Sequence, residues 1–168
     1  MSRKTAVYAG TFDPPTYGHA WMIGKGYVLF YELIVAIGIN PDKRCMFTLE
    51  ERLEMLRQYE TGHPNMRFET FENKYLVRFA RDARATHILR GIRSVADFEY
   101  ERTLRYLNED FDPGITTVFL MPPREIADIS SSIVKGLVGP DDWEQVVKQF
   151  VSPFVFDKLK ERHHASTR

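Results

Sequence analysis

The stretch Ala6-Val7-Tyr8-Ala9-Gly10-Thr11-Phe12-Asp13-Pro14-Pro15-Thr16-Tyr17-Gly18-His19 decides how the rest of the chain is interpreted. It begins with an apolar run that predicts a strand at 5–9, and Gly18-His19 open a run that can be helical, with helix-compatible spacing over 20–30. A glycine at a strand end lets a ligand approach the backbone, and a helix N-terminus attracts phosphate through its free N–H groups and its dipole. The stretch therefore predicts a nucleotide phosphate site, with the His19 imidazole aimed at the anion.

Composition limits the class of protein. The length of 168 residues favours one domain, which we place at 1–163 with 164–168 as a disordered tail. The 23 Lys and Arg residues balance the 23 Asp and Glu residues, which argues against a bulk nucleic-acid binder. Cys45 is the single cysteine, which indicates a reducing compartment. With no secretory leader pattern at 1–9 and no apolar run long enough to cross a bilayer, we expect a soluble, cytoplasmic protein without a membrane partner.

Strand and helix patterns alternate along most of the chain. Apolar runs predict strands at 5–9, 32–39, 66–71, 86–89 and 116–121. Helical patterns are predicted at 20–30, 48–59, 75–83, 94–108, 130–137, 141–150 and 153–163. This alternation predicts an α/β fold, namely a single-domain, Rossmann-like parallel sheet with helices on both faces. Ligands of such sheets bind beyond the carboxyl ends of the strands, so residues that follow strands are the candidates for function.

Two basic segments follow predicted strands. Asn40-Pro41-Asp42-Lys43-Arg44 comes after the second strand, and its position favours Lys43 as a ligand-binding residue, while Arg44 fits a solvated role. Arg90-Gly91-Ile92-Arg93 comes after the fourth strand, and two arginines flanking a glycine suit bidentate phosphate recognition. Both segments are therefore predicted to handle phosphate.

Hydroxyl and carboxyl side chains complete the set of candidates. Ile129-Ser130-Ser131-Ser132 precedes a helical run, where serine caps the helix and the free N–H groups can also hold an anion. Asp97, Glu99 and Glu101 are spaced by two, so on a helix neighbouring carboxylates face different directions and form no metal cluster. We expect these acids to be solvated or paired with arginines, and we predict no protein ligand set for a metal.

Together these segments resemble the nucleotidyltransferase superfamily with a HxGH-type signature, here Thr16-Tyr17-Gly18-His19. Within it, they are most similar to the phosphopantetheine adenylyltransferase family of bacterial coenzyme A biosynthesis. The most specific matching block is Arg90-Gly91-Ile92-Arg93 together with Val95-Ala96-Asp97-Phe98-Glu99-Tyr100-Glu101. The resemblance implies transfer of AMP from ATP to 4′-phosphopantetheine, giving dephospho-coenzyme A and pyrophosphate. It also implies Mg²⁺ as cofactor, a homohexamer, and dephospho-coenzyme A or coenzyme A as product or inhibitor.

The resemblance also implies a role for each matching residue. His19 and Lys43 are expected to be catalytic, with His19 stabilising the transition state at the α-phosphate. The acceptor is expected to contact Thr11, Lys43, Leu76 and Arg90, with Leu76 against the pantetheine arm. The expected ATP contacts are Thr11, Phe12 through its backbone, His19, Gly91, Ile92, Arg93, Glu101, Ser130, Ser131 and Ser132.

Two departures from the family pattern keep alternatives open. Ile126-Ala127-Asp128 stands where the family shows an aromatic-containing stretch, and Trp21 stands where it shows an aspartate. One alternative keeps the fold but changes the acceptor to nicotinamide mononucleotide or to a polyol phosphate, in the latter case with CTP as a possible donor. Another is a non-catalytic sensor of nucleotide or coenzyme A, although the presence of His19, Lys43 and Arg93 argues against it.

Overall fold

A computed structural model describes residues 3–60, 62 and 64–166 of the chain, without the side chain of Ser166. Five strands form one sheet in the order β3-β2-β1-β4-β5, and every neighbouring pair is parallel. The strands are β1 Thr5–Gly10, β2 Glu32–Ile39, β3 Met66–Glu72, β4 His87–Gly91 and β5 Thr116–Leu120. The predicted α/β fold with a parallel sheet is confirmed.

Helices follow each of the strands. They are α1 Tyr17–Leu29, α2 Leu49–Arg57, α3 Leu76–Asp82, α4 Val95–Phe111, α5 Arg124–Ala127, α6 Ser131–Leu137, α7 Trp143–Val147 and α8 Pro153–Ser166. The side chains of Thr48, Ser94 and Ser130 each accept a hydrogen bond from an amide in the first turn of their helix, as N-caps do. Helix α8 extends three residues past the predicted end at 163, and residues 167 and 168 of the predicted tail lie outside the described residues.

Alternating side chains of the central strands supply two separate hydrophobic clusters, because successive residues of a strand point to opposite faces. On one face, Tyr8 and Val35 pack with Met22 of α1 and Leu56 of α2. On the other face, Val7, Ala9, Ile34 and Ala36 pack with residues of α3 such as Val77 and Ala80. Helices therefore cover both faces of the sheet, as the near-continuous apolar strands predicted.

A third cluster lies beside the sheet. Trp143 of α7 and Val155 and Leu159 of α8 pack against Val134 of α6 and Met55 of α2. We call α6, α7 and α8 with this cluster the C-terminal layer. Helix α2 is shared, because Leu56 belongs to the cluster on the sheet and Met55 belongs to the C-terminal layer.

The strand order places a topological switch between β1 and β4. From β1 the chain proceeds to β2 and β3 on one side, and it then returns to add β4 and β5 on the other. The loops after β1 and β4 diverge at this point and leave a crevice at the carboxyl edge of the sheet. Among the described residues, no helix is both long and apolar enough to cross a membrane.

Candidate active site

A cavity of about 380 Å³ opens at the switch point, beyond the carboxyl ends of β1 and β4. Residues from the loop after β1, the loop after β2, the end of β4, helix α4 and the first turn of α6 line it. Most of the site residues expected from the sequence are among them: Thr11, Phe12, His19, Lys43, Arg90, Gly91, Arg93, Glu101, Ser130, Ser131 and Ser132. The fold thus brings together segments that are far apart in the chain.

His19 lies in the first turn of α1, where the cap residue Thr16 fixes its ring. The Thr16 amide donates to Nδ1 over 3.0 Å, and the Thr16 hydroxyl lies 2.9 Å from the same nitrogen. Burial, reinforced by the positive charge of Arg93, lowers the pKa of His19 to about 4. The ring is therefore neutral at pH 7, and because Nδ1 accepts, the proton sits on Nε2. His19 presents a neutral N–H donor to the cavity.

The turn after β1 is compact. A Cβ on Gly10 would lie 3.1 Å from the Phe12 ring, and Phe12 itself has a positive φ of 50° and is 1 % exposed. The Phe12 ring also meets the His19 ring edge-on, with centroids 5.0 Å apart. The space left by the glycine is therefore taken by Phe12. Gly10 also lines the cavity, and the expected approach of a ligand to its backbone stays a prediction.

Lys43 and Thr11 meet on the β1–β2 side of the cavity. The Lys43 ammonium group donates to the Thr11 hydroxyl over 3.2 Å, although the two residues lie 32 positions apart in the chain. Lys43 is exposed, and among the described residues it forms no ion pair with a carboxylate. A hydroxyl and an unneutralised ammonium group side by side can bind a phosphate.

Arg90 is held in a fork on the opposite side. Its Nε donates to Glu101 Oε2 over 2.8 Å, its Nη2 contacts Glu101 Oε1, and its Nη1 donates to the Ala9 carbonyl over 3.0 Å. Burial alone would lower the pKa of Arg90, but the hydrogen bonds and charge of Glu101 outweigh it and raise the pKa. Glu101, the one buried residue of α4, is therefore a partner of Arg90 in this structure.

Arg93 repeats the arrangement closer to solvent. Its Nε donates to Asp97 Oδ2 over 2.8 Å, one turn along α4. The expectation that the acids of this segment pair with arginines is confirmed for Asp97 and Glu101. Arg90 at the end of β4 and Arg93 after it are thus each paired with a carboxylate from α4.

Asp13 and Lys135 were not singled out from the sequence. Asp13 is 2 % exposed, and it accepts from the Met46 and Phe47 amides and from Lys135 Nζ, the last over 2.6 Å. Burial alone would raise the pKa of Asp13, but these hydrogen bonds, led by that of Lys135, hold it below its ordinary value. This carboxylate joins the loop after β1 to the segment before α2 and to α6.

The three serines stand at the start of α6. Ser130 caps the helix by accepting from the Ile133 amide over 3.2 Å, and Ser131 donates to the Pro14 carbonyl over 2.8 Å. Ser132 lines the cavity beside them. The first turn of α6 therefore contacts the loop after β1, and both line the cavity.

Two of the expected site residues do not line this cavity. Ile92 is 7 % exposed, and its amide bonds to the Leu120 carbonyl of β5. Leu76 begins α3 and packs partly against the cluster beneath the sheet that contains Val77. Their expected contacts with ATP and with the pantetheine arm therefore stay predictions.

The cavity offers no ready set of metal ligands from the described residues. Its carboxylates are Asp13, Asp97 and Glu101, and each is already bound to a lysine or an arginine. No group of three or more His, Cys, Asp or Glu side chains in the described part of the chain is placed to hold a metal ion. These residues do not form a magnesium site by themselves.

Comparison with known proteins places the chain in a family. The model of the Cytidylyltransferase-like family matches residues 7–137. A protein of Chromobacterium violaceum named phosphopantetheine adenylyltransferase is 53% identical over 156 residues, covering 93% of this chain and 95% of its own. The chain belongs to the phosphopantetheine adenylyltransferase family. Another member, from Neisseria meningitidis serogroup B, is 54% identical over 160 residues, or 95% of this chain and 94% of that relative. As a member of this family the chain is a nucleotidyltransferase.

Solved structures agree on the fold. The nicotinic acid mononucleotide adenylyltransferase of Plasmodium falciparum superposes with a TM-score of 0.69, covering 95% of this chain and 96% of that chain, at 18% identity. At this low identity the likeness establishes the shared fold alone.

Proposed function

We propose that this protein transfers the adenylyl group of ATP to 4′-phosphopantetheine, yielding dephospho-coenzyme A and pyrophosphate. A phosphate oxygen of the acceptor forms a bond to the α-phosphorus of ATP, while the bond from that phosphorus to the α–β bridging oxygen breaks. The observation that carries this reaction type is the convergence of His19, Lys43 and Thr11 in one cavity at the switch point. The names of the close relatives support the choice of acceptor.

Each of these side chains has a part in the proposed reaction. Lys43 and Thr11 hold the acceptor phosphate, and the Lys43 charge offsets repulsion between the two phosphates as they meet. The neutral His19 donates its Nε2 proton in a hydrogen bond to the oxygens of the α-phosphate, where negative charge develops. Direct transfer of this kind depends on positioning, and it requires no activated nucleophile from the protein.

The opposite wall is proposed to bind ATP. Arg93, Gly91 and the first turn of α6 at 130–132 face the cavity, and helix N-termini and arginines are the usual partners of phosphate. Arg90 is proposed to assist with the acceptor, and Glu101 to orient Arg90 in addition to its expected ATP contact. Mg²⁺ is proposed as a cofactor that would bind together with ATP. Phosphates and water usually supply most ligands of Mg²⁺, so a full set of protein carboxylates is not required.

Self-association is also proposed, with a homohexamer as the specific expectation. Helix α4 carries six exposed large apolar or aromatic side chains, which are Val95, Phe98, Tyr100, Tyr106, Leu107 and Phe111. Exposed apolar surface concentrated on one helix is typical of a surface that is covered in an assembly. Measurement of the molecular mass in solution tests the assembly.

A cytoplasmic location is also proposed, because a single cysteine fits a reducing compartment.

The decisive experiment measures pyrophosphate release from ATP with several acceptors in parallel. We expect strong release with 4′-phosphopantetheine and formation of dephospho-coenzyme A. Release that occurs only with nicotinamide mononucleotide, or only with a polyol phosphate when CTP replaces ATP as the donor, would retain the mechanism and change the substrates. An absence of release with every acceptor, together with nucleotide binding, would favour a sensor instead.

A further inference from the structure

Arg52 of α2 is a buried cation that has no role in the adenylyl transfer as proposed. It is 6 % exposed, and its guanidinium group donates from Nη1 to the Thr11 carbonyl over 2.9 Å and from Nε to the Thr48 carbonyl over 3.2 Å. Both partners are neutral oxygens. A buried arginine is normally paired with a carboxylate, because an uncompensated charge is costly to remove from water.

The carboxylates nearest to it in sequence have other partners. Glu51 binds Arg162 of α8, and Glu54 lies 3.2 Å from Lys158 of α8. Within the described residues Arg52 has no ion pair with an acid. Hydrogen bonds to the backbone and to the Thr48 side chain lower the pKa of the exposed Glu50, and the charge of Arg52 contributes least to that lowering. The positive charge of Arg52 therefore has no contacting carboxylate behind the loop that follows β1.

The Thr11 carbonyl that Arg52 holds belongs to the residue whose hydroxyl meets Lys43. The next residue, Phe12, has a positive φ of 50°, which is an uncommon conformation for a non-glycine residue. A hydrogen bond from a rigid guanidinium group to the preceding carbonyl helps to hold the turn in this conformation. Arg52 thus supports Thr11 from behind, while Lys43 contacts it from the cavity.

Helix α2 does not depend on Arg52 for its own formation. Thr48 and Glu51 form a reciprocal capping box at its start, and Met55 and Leu56 bury its apolar face. The capping box and the buried apolar side chains therefore hold the helix without Arg52.

We infer that Arg52 is a positioning residue for the acceptor phosphate: it fixes Thr11 in place and adds positive charge without a contacting carboxylate behind the Thr11–Lys43 phosphate site. This inference rests on the proposed function, because it assumes that the acceptor phosphate binds between Thr11 and Lys43. Because Thr11 is also an expected ATP contact, the loss of Arg52 should weaken binding of the acceptor phosphate more than binding of ATP.

The test compares ligands that differ only in the phosphate. Dissociation constants of 4′-phosphopantetheine and of pantetheine are measured by ligand-observed NMR for the natural protein and for the Arg52→Met, Arg52→Lys and Arg57→Met variants. Arg57 lies in the last turn of the same helix and is exposed, so it serves as the matched control. The melting temperature and the dissociation constant of ATP are recorded for each protein.

We expect Arg52→Met to reduce the preference for the phosphorylated ligand by about tenfold or more, with pantetheine affinity nearly unchanged and a smaller loss of ATP affinity. Arg52→Lys keeps the charge but loses the fork, and it should give an intermediate preference; if Arg52→Met does not fold, this variant decides the test. The Arg57→Met protein should match the natural protein.

Equal loss of affinity for both ligands would show a purely structural role and overturn the inference, as would an unchanged preference. If the natural protein itself shows no preference for the phosphorylated ligand, the proposed acceptor fails and the role of Arg52 fails with it. The two failures are therefore distinguishable in one set of titrations.

Discussion

The two sides of the cavity differ in how their cations are balanced. On the β4 side, Arg90 and Arg93 are each paired with a carboxylate of α4. On the β1–β2 side, Lys43 and Arg52 contact only the hydroxyl and the carbonyl oxygen of Thr11 inside the site. Under the proposed function, the β4 side orients its ligand with groups that are already neutralised, while the β1–β2 side supplies positive charge without a carboxylate partner to a phosphate.

His19 stands between the two sides, and its removal should have the largest effect. We expect His19→Ala to lower kcat by about 10²–10³-fold with the ATP dissociation constant nearly unchanged, because a transition-state donor is lost. Steady-state kinetics and equilibrium nucleotide binding measure the two quantities. His87→Ala, at the opposite end of β4, is the control, and near-normal turnover of His19→Ala would refute the assigned role.

Replacement of Lys43 tests the β1–β2 side of the cavity. Lys43→Met should lower kcat/KM for 4′-phosphopantetheine by about 10–100-fold, because a charged hydrogen-bond donor to phosphate is lost, and should leave ATP binding intact. Arg44→Met, the exposed neighbour, should change little. Equal losses in the two variants would mean that general positive charge, and not the Thr11 contact, matters on this side.

Breaking the ion pairs on the β4 side should lower the free energy of unfolding. Glu101→Gln leaves Arg90 without its counter-charge in a mostly buried site, and we expect a loss of about 1–2 kcal/mol in the free energy of unfolding. Asp97→Asn breaks a more exposed pair and should cost less than about 1 kcal/mol. Urea unfolding of the two variants gives the comparison. An equal cost would contradict the difference in burial between the two pairs.

The smallest effect concerns the proton of His19. Its pKa of about 4 in the folded protein lies below the ordinary 6.5, so the unfolded chain binds a proton first as pH falls. Stability from neutral His19 is full above pH 6.5 and is lost between pH 6.5 and about 4. From pH 7 to 6 the loss is less than about 1 kcal/mol, and it should be absent in His19→Gln. An NMR titration of the His19 ring with a midpoint near 6.5 would contradict the shift.

The strands were predictable because burial on both faces leaves a simple apolar run. The predicted second strand, at 32–39, matches β2 Glu32–Ile39 at both ends. The sequence predicts that Gly18-His19 open the first helix, and α1 begins one residue earlier, at Tyr17. Its cap Thr16 pairs with an imidazole, whereas the recognised capping pattern has Glu or Gln at that position.

A glycine in α1 shows how packing overrides local preference. By helix propensity alone Gly26 weakens the helix. In the structure, a Cβ at this position would lie 2.8 Å from Leu89 and 3.0 Å from Leu33. Gly26 therefore allows a close approach of α1 to the sheet, which no local pattern can reveal.

The site was predictable where its residues follow strands, as Lys43, Arg90 and Arg93 do. The residues that hold it together were not, because their contacts join distant segments. Asp13 and Lys135 lie 122 positions apart, and Arg52 reaches a residue 41 positions away. Arg52 also sits inside a helix whose charged pattern is typical of a solvated surface, so its burial gives no signal in the sequence.

The C-terminal layer sets a limit on how short this enzyme can be made. The matched family region ends at 137, yet Phe47, Met55 and Val134 within that region are buried by side chains of α7 and α8. Truncation at residue 137 would expose this apolar surface to water next to Phe47, whose amide holds Asp13 of the loop after β1. For the design of fusions or minimal versions, the working unit therefore includes the last two helices.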